Sequence, residues 1–125
     1  MNNELFEDEG YQLMGAAFEV YNEQGSHLSE DIYQASLETE LNLRDIPFDA
    51  QRQLDVFYKG VKLSPKFIPD LFIFDELIIE LKAVKKLLPE HEAQLINYLA
   101  ITGKKVGYLI NFGHAGSLEW KRIVL

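Results

Sequence analysis

The chain contains no cysteine. That excludes disulfides, thiolate nucleophiles and any cysteine-ligated zinc or iron–sulfur centre. Its three histidines, His27, His91 and His114, show no ligand spacing, so a zinc site has no support in the sequence. No apolar stretch approaches the roughly 20 residues that a membrane helix needs. The opening segment, MNNELFEDEG, is acidic and lacks the basic start and apolar run of a secretory signal. A soluble, cytoplasmic protein with no membrane partner is the expectation. Internal repeats, low-complexity tracts and Pro/Gly/Ser linkers are also absent. Gly103, Gly107, Gly113 and Gly116 form no phosphate-binding loop and read as turn or packing glycines.

Basic residues are scarce: 12 Lys and Arg against 20 Asp and Glu, a formal net charge of −8. The imbalance is uneven. Residues 1–45 hold eleven acids and Arg44 as their one base, a net of −10, whereas residues 46–125 carry a net of +2. An acidic front and a mildly basic back permit one basic face. With 125 residues and 47 % hydrophobic content, the chain has the size of a single domain, 1–125, with a core of its own.

The hydrophobic period changes along the chain. Residues 4–22 and 28–44 read as helices, the second with Tyr33, Leu37 and Leu41 in an i, i+4, i+8 stripe. Residues 50–58 alternate as a strand and turn at Lys59-Gly60. The runs 67–74 (FIPDLFIF) and 77–82 (LIIELK) are nearly all apolar and suit strands covered on both faces. A third helix is read over 90–102, then strands over 105–112 and 118–124. The order ααβββαββ fits an α/β (α+β) fold in which a mixed sheet is flanked by helices. Phe57, Tyr58, Phe72 and Phe74 read as core or sheet-face groups and not as a base-stacking platform.

Two of these apolar strands carry charges. Asp70 interrupts the first; Glu80 and Lys82 interrupt the second. A buried charge is costly unless it is paired or binds a metal. Glu80 and Lys82 are two apart and leave the same face of a strand. Glu30 falls near the centre of the stripe of the second helix and is expected to point toward the sheet. Gln94 and Tyr98 are four apart on the third helix and share a face.

Carboxylates beside one lysine select a hard divalent ion, Mg²⁺ or Mn²⁺. Asp70, Glu80 and the backbone carbonyl of Leu81 are the candidate metal ligands. Lys82 would orient an attacking water or stabilise a pentacoordinate transition state, and Glu30 would hold a further water or a second ion.

The pattern Pro69-Asp70, nine residues, then Glu80-Leu81-Lys82 resembles the signature of the PD-(D/E)XK nucleases. More narrowly, the chain is similar to the small GxxExxY family within them. The likeness rests on GSHLSEDIY (25–33), FIPDLFIF (67–74), IIELKAV (78–84), HEAQLINYLA (91–100), GYLINFG (107–113) and KRIV (121–124). Gln94 through Tyr98 are similar to the QxxxY helix motif of RecB-like nucleases. The resemblance implies a restriction-endonuclease-like core and a Mg²⁺- or Mn²⁺-dependent phosphodiester hydrolase. It implies Asp70 and Glu80 as ligands, Lys82 as catalytic lysine, Glu30 as helix carboxylate, and Gln94 and Tyr98 as accessory residues. The substrate would be nucleic acid, DNA first. One departure stands out: His27 occupies the position where the family usually has glycine.

The rival readings are a non-catalytic module of the same fold that binds nucleic acid or a protein, and a small-molecule metalloenzyme. An open sheet edge at 118–124 would allow a homodimer. A shared metal also sets a geometric condition. A two-residue hairpin at Asp75-Glu76 would turn Asp70 away from Glu80. A three-residue connection ending at Leu77 would pair Phe74 with Ile78, Phe72 with Glu80 and Asp70 with Lys82; a bulge or a bend near Pro69 would serve equally.

Overall fold

The computed structural model describes residues 5–125; Glu4, where the periodicity starts the first helix, lies outside them. Three helices are formed: α1 (Glu7–Gln24), α2 (Glu30–Leu43) and α3 (Pro89–Thr102). The strands are β1 (Phe48–Ala50), β2 (Phe57–Tyr58), β3 (Val61–Lys62), β4 (Leu71–Ile73), β5 (Leu77–Lys82), β6 (Val106–Asn111) and β7 (Glu119–Val124). Five of them form a mixed sheet in the order β1-β4-β5-β6-β7. β5 and β6 are parallel and are joined through α3; the other neighbours are antiparallel. β7 closes one edge of the sheet and carries Lys121 and Arg122, charges that discourage edge-to-edge pairing.

Both faces of the central strands are covered, which explains their nearly continuous apolar runs. Leu77, Ile79 and Leu81 of β5 and Tyr108 and Ile110 of β6 pack with Leu13, Ala17, Leu37 and Leu41 of α1 and α2. Phe72, Ile78 and Leu109 point the other way, onto Leu95, Tyr98 and Leu99 of α3. Close approach sets one glycine: a Cβ on Gly107 would stand 2.7 Å from Leu95 Cδ1, so glycine lets α3 settle on β6.

The segment 50–58 is not one strand. Pairing with β4 ends at Ala50, and Gln51 turns away with φ 55°. The alternating residues beyond it then double back on their own continuation. Leu54 bridges Phe67, Val56 accepts a hydrogen bond from Leu63 N–H, and Tyr58 pairs with Val61. The result is a separate hairpin, β2–β3, set between β1 and β4. β4 likewise starts at Leu71 and not at Phe67. Pro69 offers no N–H to a ladder at that point.

The β4–β5 connection is three residues long, as a shared face requires, but it consists of Phe74, Asp75 and Glu76. Ile73 pairs with Leu77 and Phe72 with Ile78. Phe74 and Asp75 absorb the turn at φ 54° and 56°. The ladder is therefore displaced by two residues from the register read in the sequence. Its extension sets Asp70 opposite Glu80 and not opposite Lys82. Side-chain period is two, so the face is unchanged.

Candidate active site

The chemistry-bearing residues gather at the C-terminal end of β5, on the face covered by α3. Parallel strands commonly present ligand sites at this end. Glu80 is 3 % exposed and faces α3 with Ile78. Asp70 N–H donates to Glu80 Oε1 at 3.2 Å, and Leu81 N–H donates to Asp70 Oδ2 at 2.7 Å.

Pro69 interrupts the ladder beside this bond. Even-numbered residues of β4 and its flanks bond toward β1, as Gln51 N–H to Asp70 O and Phe74 N–H to Pro47 O show, except that the Asp70 N–H goes to Glu80. Odd-numbered residues therefore bond toward β5, and position 69 would be the ladder partner of Leu81. Proline has no N–H to give the Leu81 carbonyl. On the same residue, the Leu81 N–H is taken by the Asp70 carboxylate. A proline followed by an aspartate thus opens the ladder where an oxygen ligand set would stand.

Burial pushes the Glu80 carboxyl up to about 9, helped by the Asp70 carboxylate beside it; Lys82 pulls weakly the other way. Lys82 Nζ donates to Gln94 Oε1 at 2.9 Å, and Gln94 Nε2 reaches Tyr98 OH at 3.4 Å. Burial and the Glu80 carboxylate raise the Tyr98 phenol. Two hydrogen-bonded sets, Asp70 with Glu80 and Lys82 with Gln94 and Tyr98, thus lie within electrostatic reach of one another.

Glu30 is more exposed than the stripe suggests. It is the first residue of α2 and is exposed. A helical side chain leans over the turn N-terminal to its own Cα, and at the first position no such turn exists. Its carboxyl still senses the group: burial raises it, then Asp70, while Lys82 and His91 lower it. Glu30 stands at the rim. The turn before it is held by Tyr33, whose hydroxyl donates to Gly25 O at 2.5 Å and accepts from Leu28 N–H at 3.2 Å. The left-handed residue of that turn is Gly25, φ 71°, so the histidine at position 27 needs no glycine-like backbone.

With this geometry in view, a family model described as the PD-(D/E)XK nuclease superfamily matches residues 7–123. The chain belongs to that superfamily. Among solved structures, the PD-(D/E)XK chain is similar to the crystal structure of SSO0001, with a TM-score of 0.61 and 22 % identity. That match covers 95 % of this chain and 59 % of the other, so the chain spans about three-fifths of its length. It is also similar to an alkaline exonuclease, LHK-Exo, from Laribacter hongkongensis, with a TM-score of 0.46 and 16 % identity, covering 91 % of this chain and 81 % of that one. No curated protein matches.

Among the described residues, no three His, Asp or Glu side chains close into a metal-binding group. The PD-(D/E)XK chain offers a more open set: the Asp70 and Glu80 carboxyls with the Leu81 carbonyl beside them. All are hard oxygens, and Mg²⁺ tolerates few protein ligands because it keeps several waters. A buried carboxyl beside a second carboxylate is itself short of positive charge, so the residues present fit a divalent cation. A groove of about 870 Å³ lies elsewhere, on the opposite sheet face between Met14, Phe18, Tyr108 and Trp120.

Two supporting residues escaped the sequence reading. Asn111, fully buried at the end of β6, donates to Val84 O (2.8 Å) and Glu119 Oε1 (2.9 Å). Its Oδ1 accepts from Val84 N–H and Gly113 N–H, both at 3.0 Å. Glu119 also accepts from Leu87 N–H at 3.0 Å. The loop from Lys82 to α3 is thereby fastened. Gln34 of α2 donates to the Asp70 carbonyl at 3.2 Å and fixes that backbone from the other side. A lone asparagine at the end of an apolar strand was the available signal for Asn111; Gln34 had none.

Proposed function

We propose that the chain is a metal-dependent nuclease, akin to the GxxExxY family, that hydrolyses phosphodiester bonds of nucleic acid. The observation that carries this reading is the buried Glu80 carboxyl facing Asp70, with Lys82 on the same strand face. Asp70, Glu80 and the Leu81 carbonyl would hold Mg²⁺ or Mn²⁺. When bound, the ion supplies Lewis-acid stabilisation of phosphate charge and a more acidic water.

The chain's own residues do the rest. Lys82 brings a positive charge to the side of the attacking water and to the oxygens that gain charge in the transition state. Gln94 holds the Lys82 ammonium in one place through its amide oxygen, and Tyr98 orients that amide. Glu30, wet and at the rim, is placed to accept a proton or order a water on the solvent side. Superfamily membership supports a nucleic-acid substrate in general; DNA is the specific proposal.

The test is cleavage of single- and double-stranded DNA and RNA with Mg²⁺, Mn²⁺ or EDTA. Wild type is compared with Asp70→Ala and Lys82→Ala. Cleavage is expected with metal, and each substitution should reduce it at least 100-fold, the scale of losing one positioned charge. Activity that persists in EDTA, or in both variants, would overturn the proposal.

A further inference from the structure

The β2–β3 hairpin is unlike the rest of this acidic chain. Residues 56–66 hold Lys59, Lys62 and Lys66 and no acid. Phe57, Tyr58 and Val61 are 60 %, 62 % and 64 % exposed. Large apolar groups held in water across a two-residue ladder contribute nothing to a core. Phe57 and Tyr58 are adjacent, so their rings leave opposite faces of the hairpin. Lys59 Nζ stands 5.6 Å from the Tyr58 ring, and Lys62, whose ammonium pairs with Asp55 at 3.3 Å, lies directly across the ladder from Phe57.

The base of the hairpin is joined to the candidate active site. Leu54 N–H donates to Phe67 O at 2.7 Å, and the Phe67 ring meets Tyr98 edge-on at 6.2 Å. Phe67 precedes Asp70 by three residues, about 10 Å of extended chain.

We propose that this hairpin is a substrate arm that grips an unpaired nucleic-acid strand, with bases on Tyr58 and Phe57 and phosphates on Lys59, Lys62 and Lys66. A nucleotide needs a flat apolar surface for its base and a cation for its phosphate within a few ångströms; Tyr58 with Lys59 supplies both, and on the other face a phosphate would draw Lys62 from Asp55. Lysines set beside exposed rings match the alternating phosphates and bases of a single strand, and it is this pairing that favours a nucleic-acid occupant. The bases must be unstacked and unpaired to reach the rings, so the preferred substrate is single-stranded or frayed. The inference rests on the nuclease reading for its purpose, but not for its test.

The full chain is titrated in EDTA with fluorescent 20-nucleotide single-stranded DNA, the matching RNA and a blunt duplex. Single strands should bind more tightly than the duplex; the DNA and RNA arms show which sugar is preferred. Tyr58→Ala and Phe57→Ala should each weaken single-strand binding about tenfold, and Tyr58→Phe should restore it. Lys59→Gln and Lys66→Gln should each lower the salt slope by about 0.7. Because these side chains are exposed, thermal midpoints should not move. Ring variants that bind like wild type, or a wild type that prefers the duplex or binds no strand, would overturn the arm. So would a dimer that the ring variants dissociate while strand binding is unchanged, which would make the hairpin a protein contact. Ring-dependent binding without cleavage in any metal would sink only the nuclease reading. Cleavage whose KM is unchanged in the ring variants would sink only the arm.

Discussion

Replacing Glu80 by Gln tests the electrostatics of the site without changing its shape. The Gln carbonyl still accepts the Asp70 N–H that Glu80 Oε1 takes at 3.2 Å, and its amide donates toward the Asp70 carboxylate. Burial and Asp70 raise the Glu80 carboxyl from 4.5 to about 9. Between those values the folded protein holds a proton that the unfolded chain has released. The folded state binds more protons, so stability falls as pH rises, by about 1.4 kcal/mol per unit for one full proton. From pH 5 to pH 8 the wild type without metal should lose on the order of 4 kcal/mol from this site. That is a large fraction of the roughly 5–15 kcal/mol that holds a domain together. Glu80→Gln cannot titrate and should escape that loss. Urea unfolding of both proteins in EDTA at several pH values isolates the effect, because all other groups are common to both. The variant should gain on the wild type steadily as pH rises. On the proposed reading the ion would replace the Glu80 proton, so Mg²⁺ should stabilise the wild type increasingly over the same range and do little for the variant. A stability difference that stays flat from pH 5 to 8 would refute the reasoning.

Asn111→Ala removes all four hydrogen bonds of a buried amide and leaves Val84 N–H and Gly113 N–H without their acceptor. A loss of about 3–5 kcal/mol is expected in urea unfolding, with cleavage falling further than folding alone explains because the loop after Lys82 is released. Gly107→Ala would set a methyl 2.7 Å from Leu95 Cδ1. It should cost about 1–3 kcal/mol, and Gly107→Ala combined with Leu95→Ala should recover part of it in a double-mutant cycle.

Much of this protein is legible in one dimension. The 3.6-residue stripe of Tyr33, Leu37 and Leu41 names the buried side of α2, and all three are fully buried. The nearly continuous apolar runs 67–74 and 77–82 announce strands covered on both faces, and the charges that interrupt them mark Asp70, Glu80 and Lys82 as residues with a reason to be there. These signals are local: a few neighbouring residues determine the period, and burial follows from it.

What the tertiary structure alone decided depends on partners far along the chain. The ladder register that sets Asp70 opposite Glu80 is chosen by which three residues turn, and residues 74–77 contain more than one choice of the same parity. The alternation at Leu54, Val56 and Tyr58 looks like a sheet strand, yet its hydrogen bonds go to Phe67, Leu63 and Val61, so two aromatic rings finish in water. The Asn111 clamp joins a strand end to a loop 27 residues away. Periodicity reports which side of an element is apolar; it carries no information about which backbone groups lie across from it.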